Sequence, residues 1–87
     1  MDARQRVAIN IRRLRVSKGI SQDDLALAAD IERSYTGHLE RGGKNPTVAT
    51  LEKIAEAMSC DIAELFTPVL DSADPVKPLK SGRRPPR

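Results

Sequence analysis

The chain has 87 residues, 39% of them hydrophobic, with one Tyr and one Phe as its only aromatic side chains. Its formal net charge is +3, yet the ten Lys/Arg up to Phe66 are matched by ten Asp/Glu, and the excess lies in the tail, where five basic residues face two acidic ones. One Cys and one His exclude an internal disulfide and a zinc site, no apolar run approaches the roughly 18 residues of a membrane span, and a core limited to Leu, Ile, Val and Ala favours helices over a sandwich or barrel.

The first helix is predicted over Ala3 to Lys18. Its leading residues lack the apolar core of a signal peptide, and a lone cysteine suits a reducing compartment, so a cytoplasmic location is expected. Val7, Ala8, Ile11 and Leu14 share one face at helical spacing. Arg15 lies on the edge of that face, where a charge needs a buried partner. Ile9 and Val16 are expected on the opposite side as an exposed apolar pair. Gly19 ends the helix.

Ser21 then caps a second helix, with Asp24 as its capping-box partner, and Leu25, Ala26 and Ala29 mark its buried face. A break at Ala29-Asp30-Ile31 leads into a third helix from about Arg33 to Arg41, which stops at Gly42 in a left-handed cap. Two helices this short are not stable alone and need a frame. Gly42 to Pro46 form a loop. Thr47 caps a fourth helix, Val48 to Met58, whose apolar face is Leu51, Ile54, Ala55 and Met58. Asp61 and Glu64 repeat the capping-box signal before a short fifth helix carrying Ile62, Leu65 and Phe66. Cys60 is expected as a small buried hydrophobe rather than a reactive thiol.

Beyond Phe66, five prolines fall within about twenty residues, which excludes helix over most of that stretch. The expected architecture is an all-α, compact five-helix domain over residues 1–70 with a disordered, Pro-rich basic tail over residues 71–87. No paired carboxylates, nucleophile–His arrangement or phosphate-cradling glycine loop points to an enzyme, and no cofactor or metal is expected.

Five segments in order carry a resemblance: Ile11-Arg12-Arg13-Leu14-Arg15, Gly19-Ile20-Ser21-Gln22-Asp23-Asp24-Leu25-Ala26, Leu39-Glu40-Arg41-Gly42, Asn45-Pro46-Thr47 and Leu51-Glu52-Lys53-Ile54-Ala55. Together they resemble the Xre/Cro-like helix-turn-helix family, which includes phage repressors, antitoxins and restriction-modification controller proteins. The resemblance spans about residues 5 to 66. It implies a transcriptional regulator that binds double-stranded DNA, with the third helix in the major groove. It also implies that Arg15 pairs with Glu40, which agrees with both charges lying on core-facing edges. Gln22, by the same resemblance, meets the DNA backbone.

At roughly 100° per residue, Thr36 and Leu39 face the core. Arg33, Ser34, Gly37 and His38 face outward and are the expected base contacts, with Arg33 suited to guanine O6 and N7. Ser21 and Gln22 at a helix N-terminus, Tyr35 on the border of the third helix, and Arg41, Lys44 and Asn45 after it are the expected backbone contacts. Arg33-Ser34-Tyr35 also resembles the triplet found at this place in controller proteins.

Three residues depart from the family pattern. Glu32 stands where Ser or Thr usually caps, Thr36 replaces a buried Ile or Val, and Gly37 sits inside a helix at a cost of about 1 kcal/mol relative to Ala. Gly37 is either drift on an exposed face or a means for the helix to lie deeper in the groove.

One such domain makes few contacts, so a homodimer on a palindromic operator is expected. Its interface is expected at Leu65, Phe66, Val69 and Leu70, with Ile9 and Val16 as second choice. The alternative function is an antitoxin or other protein-interaction module whose tail folds on a partner. The tail also suits a basic arm along phosphate.

Overall fold

The computed structural model describes residues 2–69. The expected tail over residues 71–87, and Leu70 in the expected interface, lie outside the described residues.

Among the described residues four α-helices form: α1 Ala3–Ser17, α2 Gln22–Ala29, α3 Arg33–Glu40 and α4 Val48–Ala57. Each boundary falls within one residue of the sequence expectation. The fifth helix is a 3-10 turn, Ile62–Phe66, rather than an α-helix. Among the described residues no helix is long and apolar enough to cross a membrane.

Local chemistry explains the starts. Asp2 accepts from Gln5 N at 2.9 Å, and the Gln5 side chain returns to Asp2 N at 3.2 Å, a complete capping box on α1. Ser21 and Thr47 accept from Asp24 N and Thr50 N at 3.0 and 3.1 Å. Asp24 does not reach back to the Ser21 backbone, so only half of the expected box forms on α2. An Asp side chain is one methylene shorter than the Glu of that motif. Asp61 makes the full box, accepting from Ala63 N at 2.8 Å while Glu64 reaches Asp61 N at 3.3 Å.

The stops are equally local. Asp30 caps α2 in the left-handed region at φ 59, a conformation Asp tolerates better than most residues. Gly42 does the same after α3 at φ +78, and its N–H bonds to Leu39 O at 3.0 Å.

The frame is one apolar cluster. Val7 and Ile11 of α1, Leu25 and Ala29 of α2, Leu39 of α3 and Leu51, Ile54 and Ala55 of α4 meet in it, closed by Met58 and Leu65. Leu65 is fully buried. It is therefore core, and the expectation that it lies in a dimer interface is corrected: the 3-10 turn points Leu65 inward and leaves Phe66, 41% exposed, outward. Val69 is half-buried. Of the second-choice pair, Val16 is exposed but Ile9 is half-buried, lining a groove with Gln5, Ala8, Glu40, Arg41 and Gly42. The opposite-face placement of Ile9 is corrected accordingly, because the end of α3 packs beside it.

The 3-10 turn is fastened by a residue the apolar pattern does not reveal. Asn10, fully buried in α1, donates through Nδ2 to Leu65 O and Thr67 O, both at 2.9 Å. Its Oδ1 accepts from Arg13, and Arg6 reaches Phe66 O at 3.4 Å. A buried amide tolerates this environment because its donors and acceptor are used. Cys60 packs half-buried at the cluster edge, where burial first and then Glu64 push its thiol pKa up. A thiol shifted in this direction ionises less readily.

Candidate nucleic-acid interface

Helices α2 and α3, joined by the turn Asp30-Ile31-Glu32, form the helix-turn-helix. Thr36 and Leu39 face inward and are buried; Arg33, Ser34 and His38 are exposed on the outer side of α3. The outer face of α3 thus carries polar side chains able to donate and accept hydrogen bonds, held by a packed inner face.

Glu40 anchors the unit. Arg15 Nε donates to Glu40 Oε2 at 2.6 Å, and Arg15 Nη2 donates to Oε1 at 3.0 Å. The side chains are 10% and 3% exposed. Arg15 Nη1 also donates to Ile20 O at 2.8 Å, so the guanidinium ties α1 to the end of α3 and to the start of the motif. Gln22 Nε2 adds a bond to Glu40 Oε1 at 3.1 Å, and Arg12 stands 4.0 Å from the same oxygen. A buried carboxylate surrounded this way is paired and hydrogen-bonded, as its burial requires.

Gln22 is therefore half-buried, with its amide donor turned inward. Ser21 spends one lone pair on its cap and stays exposed. Lys44 and Asn45 are exposed in the loop after α3, and the Lys44 ammonium sits 5.6 Å from the centroid of the Tyr35 ring. That distance fits a cation–π contact, and it links the loop to α3. Tyr35 itself packs half-buried against the core.

Gly37 is not open surface. It is buried, and a Cβ there would meet Arg41 Nη1 at 3.4 Å and Gln22 Oε1 at 3.7 Å. The Arg41 side chain folds back one turn along α3 and covers the glycine. The expectation of Gly37 on an open outer face is corrected: that side is occupied by Arg41, whose guanidinium reaches the position that a side chain at 37 would fill.

Departures in the sequence find physical counterparts. Glu32 makes no side-chain cap. Thr36 Oγ1 is buried without a hydrogen-bond partner among the described residues.

Sequence reasoning missed a further contact at the head of α3. Arg33 Nε donates to Asp23 Oδ1 at 3.2 Å, and Arg33 Nη2 donates to Asp23 Oδ2 at 3.0 Å. The two residues are ten apart in sequence, and only the angle between α2 and α3 brings them together. No periodicity carries that information. Asn10 was also missed, although a polar residue beside Ile11 and one turn from Val7 was a readable sign of a buried hydrogen-bonding role.

Comparison with known proteins agrees with this geometry. The family model described as "Helix-turn-helix" matches residues 11–65. The HTH-type transcriptional regulator y4dJ of Sinorhizobium fredii is 41% identical over 68 residues, covering 78% of this chain and 88% of that protein. Control protein C.SmaI of Serratia marcescens is 34% identical over 67 residues, covering 77% and 80%. Among solved structures, the restriction-modification controller protein C.AhdI from Aeromonas hydrophila superimposes with a TM-score of 0.71 at 36% identity, covering 72% of this chain and 96% of that one. A matched family model over most of the chain, near-full-length relatives and the two-helix unit on its Arg15–Glu40 anchor make this protein a member of the Xre-like helix-turn-helix family.

Proposed function

We propose that the protein binds double-stranded DNA sequence-specifically as a homodimer and regulates transcription, with α3 in the major groove. The observation that carries the reading is the division of α3. Its inner side is locked by Leu39 and the Arg15–Glu40 pair, and its outer side offers Arg33, Ser34 and His38. A recognition helix reads base edges with residues near its N-terminus, where Arg33 and Ser34 lie. Ser21, Gln22, Tyr35, Arg41, Lys44 and Asn45 flank that face and supply the phosphate contacts that set register, Gln22 through the second amide hydrogen that its bond to Glu40 leaves over.

Charges up to Phe66 balance, so affinity rests on these placed groups rather than on a general positive field. Phe66 and Val69 remain the surface for a second copy, which would present two α3 helices to a palindromic operator in the cytoplasm. The similar regulator and controller proteins support the same reading.

Selection of bound sequences from random duplexes by the full chain tests it. The expected product is a palindrome whose half-site centres lie about one helical turn apart. Absence of any enriched sequence overturns the reading and favours a protein-interaction module instead.

A further inference from the structure

We propose that Asp23 is a specificity-determining residue, whose carboxylate holds the Arg33 guanidinium in the orientation that reads guanine. The inference rests on the reading of α3 as a major-groove helix and extends it to a residue on α2.

Asp23 is the second residue of α2 and Arg33 the first of α3, and the turn sets these two helix starts side by side. The contact is bidentate, Nε to Oδ1 at 3.2 Å and Nη2 to Oδ2 at 3.0 Å. Stability does not explain it. The side chains are 80% and 61% exposed, and exposed ion pairs contribute little to folding.

Its geometry fits a different task. A guanidinium has five N–H groups in a planar fork. Asp23 takes the edge formed by Nε and Nη2. The opposite end, with Nη1 and the second Nη2 hydrogen, stays free, and that end offers two parallel donors spaced for guanine O6 and N7.

Without Asp23 the same side chain is a flexible cation beside a phosphate backbone. It would settle on the nearest phosphate, which adds affinity but carries no sequence information. Asp23 removes that option by holding the cation and by placing a negative charge where phosphate would approach. Glu32, which lines the same surface depression with Asp23, Arg33 and Ser34, adds a second carboxylate to the head of α3. A base that cannot accept two hydrogen bonds then leaves these carboxylates facing the groove without return, which is discrimination by penalty as well as by contact. Exclusion of water by the duplex strengthens the Asp23–Arg33 pair relative to its exposed state.

The experiment uses the full chain on its selected operator. The base pair read by Arg33 is the one whose preference disappears in Arg33→Ala. Duplexes carrying each of the four base pairs there are titrated with wild type, Asp23→Asn and Asp23→Ala. Both variants should lose about fivefold in preference for guanine, while affinity for non-operator duplex holds or rises because a negative charge is gone. In the Arg33→Ala background, Asp23→Asn should leave base preference unchanged. Thermal unfolding of Asp23→Asn should match wild type, which separates positioning from a structural role at the start of α2.

An unchanged or sharper guanine preference in Asp23→Asn, or an equal change with Arg33 absent, overturns the proposal alone. A wild-type protein that selects no sequence overturns the reading of α3 and this inference with it.

Discussion

Cutting the Arg15–Glu40 pair tests the central claim that α3 is fixed in angle by a buried charge. In Glu40→Leu the Arg15 guanidinium, 10% exposed, loses both carboxylate bonds and keeps only the one to Ile20 O at 2.8 Å. A buried charge left in that state costs about 3–5 kcal/mol. Arg15→Met leaves Glu40 with the Gln22 amide at 3.1 Å and Arg12 at 4.0 Å. The Arg12 side chain is 66% exposed and free to move in, so this variant should fall at the lower end, about 3 kcal/mol. Against a total of about 5–15 kcal/mol for a small domain, either loss is large. The double variant Arg15→Met/Glu40→Leu removes both charges together and should lie within about 1 kcal/mol of wild type. Urea titration followed by helical circular dichroism gives all three values. Single-variant losses below about 1 kcal/mol, the size of a surface pair, would refute the buried-anchor argument. So would a double variant that loses the sum of the singles, because coupled residues must deviate from additivity.

Other consequences are equally direct. Asn10→Ala should cost about 2–3 kcal/mol by stranding the Leu65 and Thr67 carbonyls, with hydrogen exchange of the 3-10 turn accelerating more than that of α2. Thr36→Val should raise the melting temperature, since it removes a buried hydroxyl without a partner at a gain of about 1 kcal/mol; a fall would show that the hydroxyl is bonded. Gly37→Ala should stabilise α3 by up to about 1 kcal/mol, because its Cβ meets Arg41 at an ordinary contact distance of 3.4 Å. Operator affinity should then stay level, and a marked loss would show that α3 approaches DNA at Gly37 itself. Phe66→Glu should yield a monomer by sedimentation and weaken operator binding, and an unchanged oligomer would place the interface elsewhere.

Most of the fold is legible in the chain because its signals are local. Ser21, Thr47 and Asp61 announce helix starts through hydrogen bonds to residues two or three positions on. Gly42 announces a stop through its own φ. The spacing of Val7 and Ile11, or of Leu51, Ile54 and Ala55, identifies core faces before any partner is known. The site was only half legible. Which residues of α3 face outward follows from 100° steps, and so Arg33, Ser34 and His38 could be singled out.

Errors arose where two elements meet. Leu65 stands in an apolar group with Phe66 and Val69, which reads as one surface patch, yet the 3-10 turn drives it into the cluster. Gly37 read as open because periodicity cannot show that Arg41 folds back over it. Asp23 carries no signal in the sequence because its partner, Arg33, lies across the turn.

The sequence by itself determined the four α-helices, their caps and, Gly37 apart, the inward and outward sides of α3, since these depend on residues within one or two turns. The Arg15–Glu40 pair was expected, but only the tertiary structure decided that Asn10 fastens the 3-10 turn and that Asp23 meets Arg33. Those contacts join residues that come together only once the core has set the helices at fixed angles.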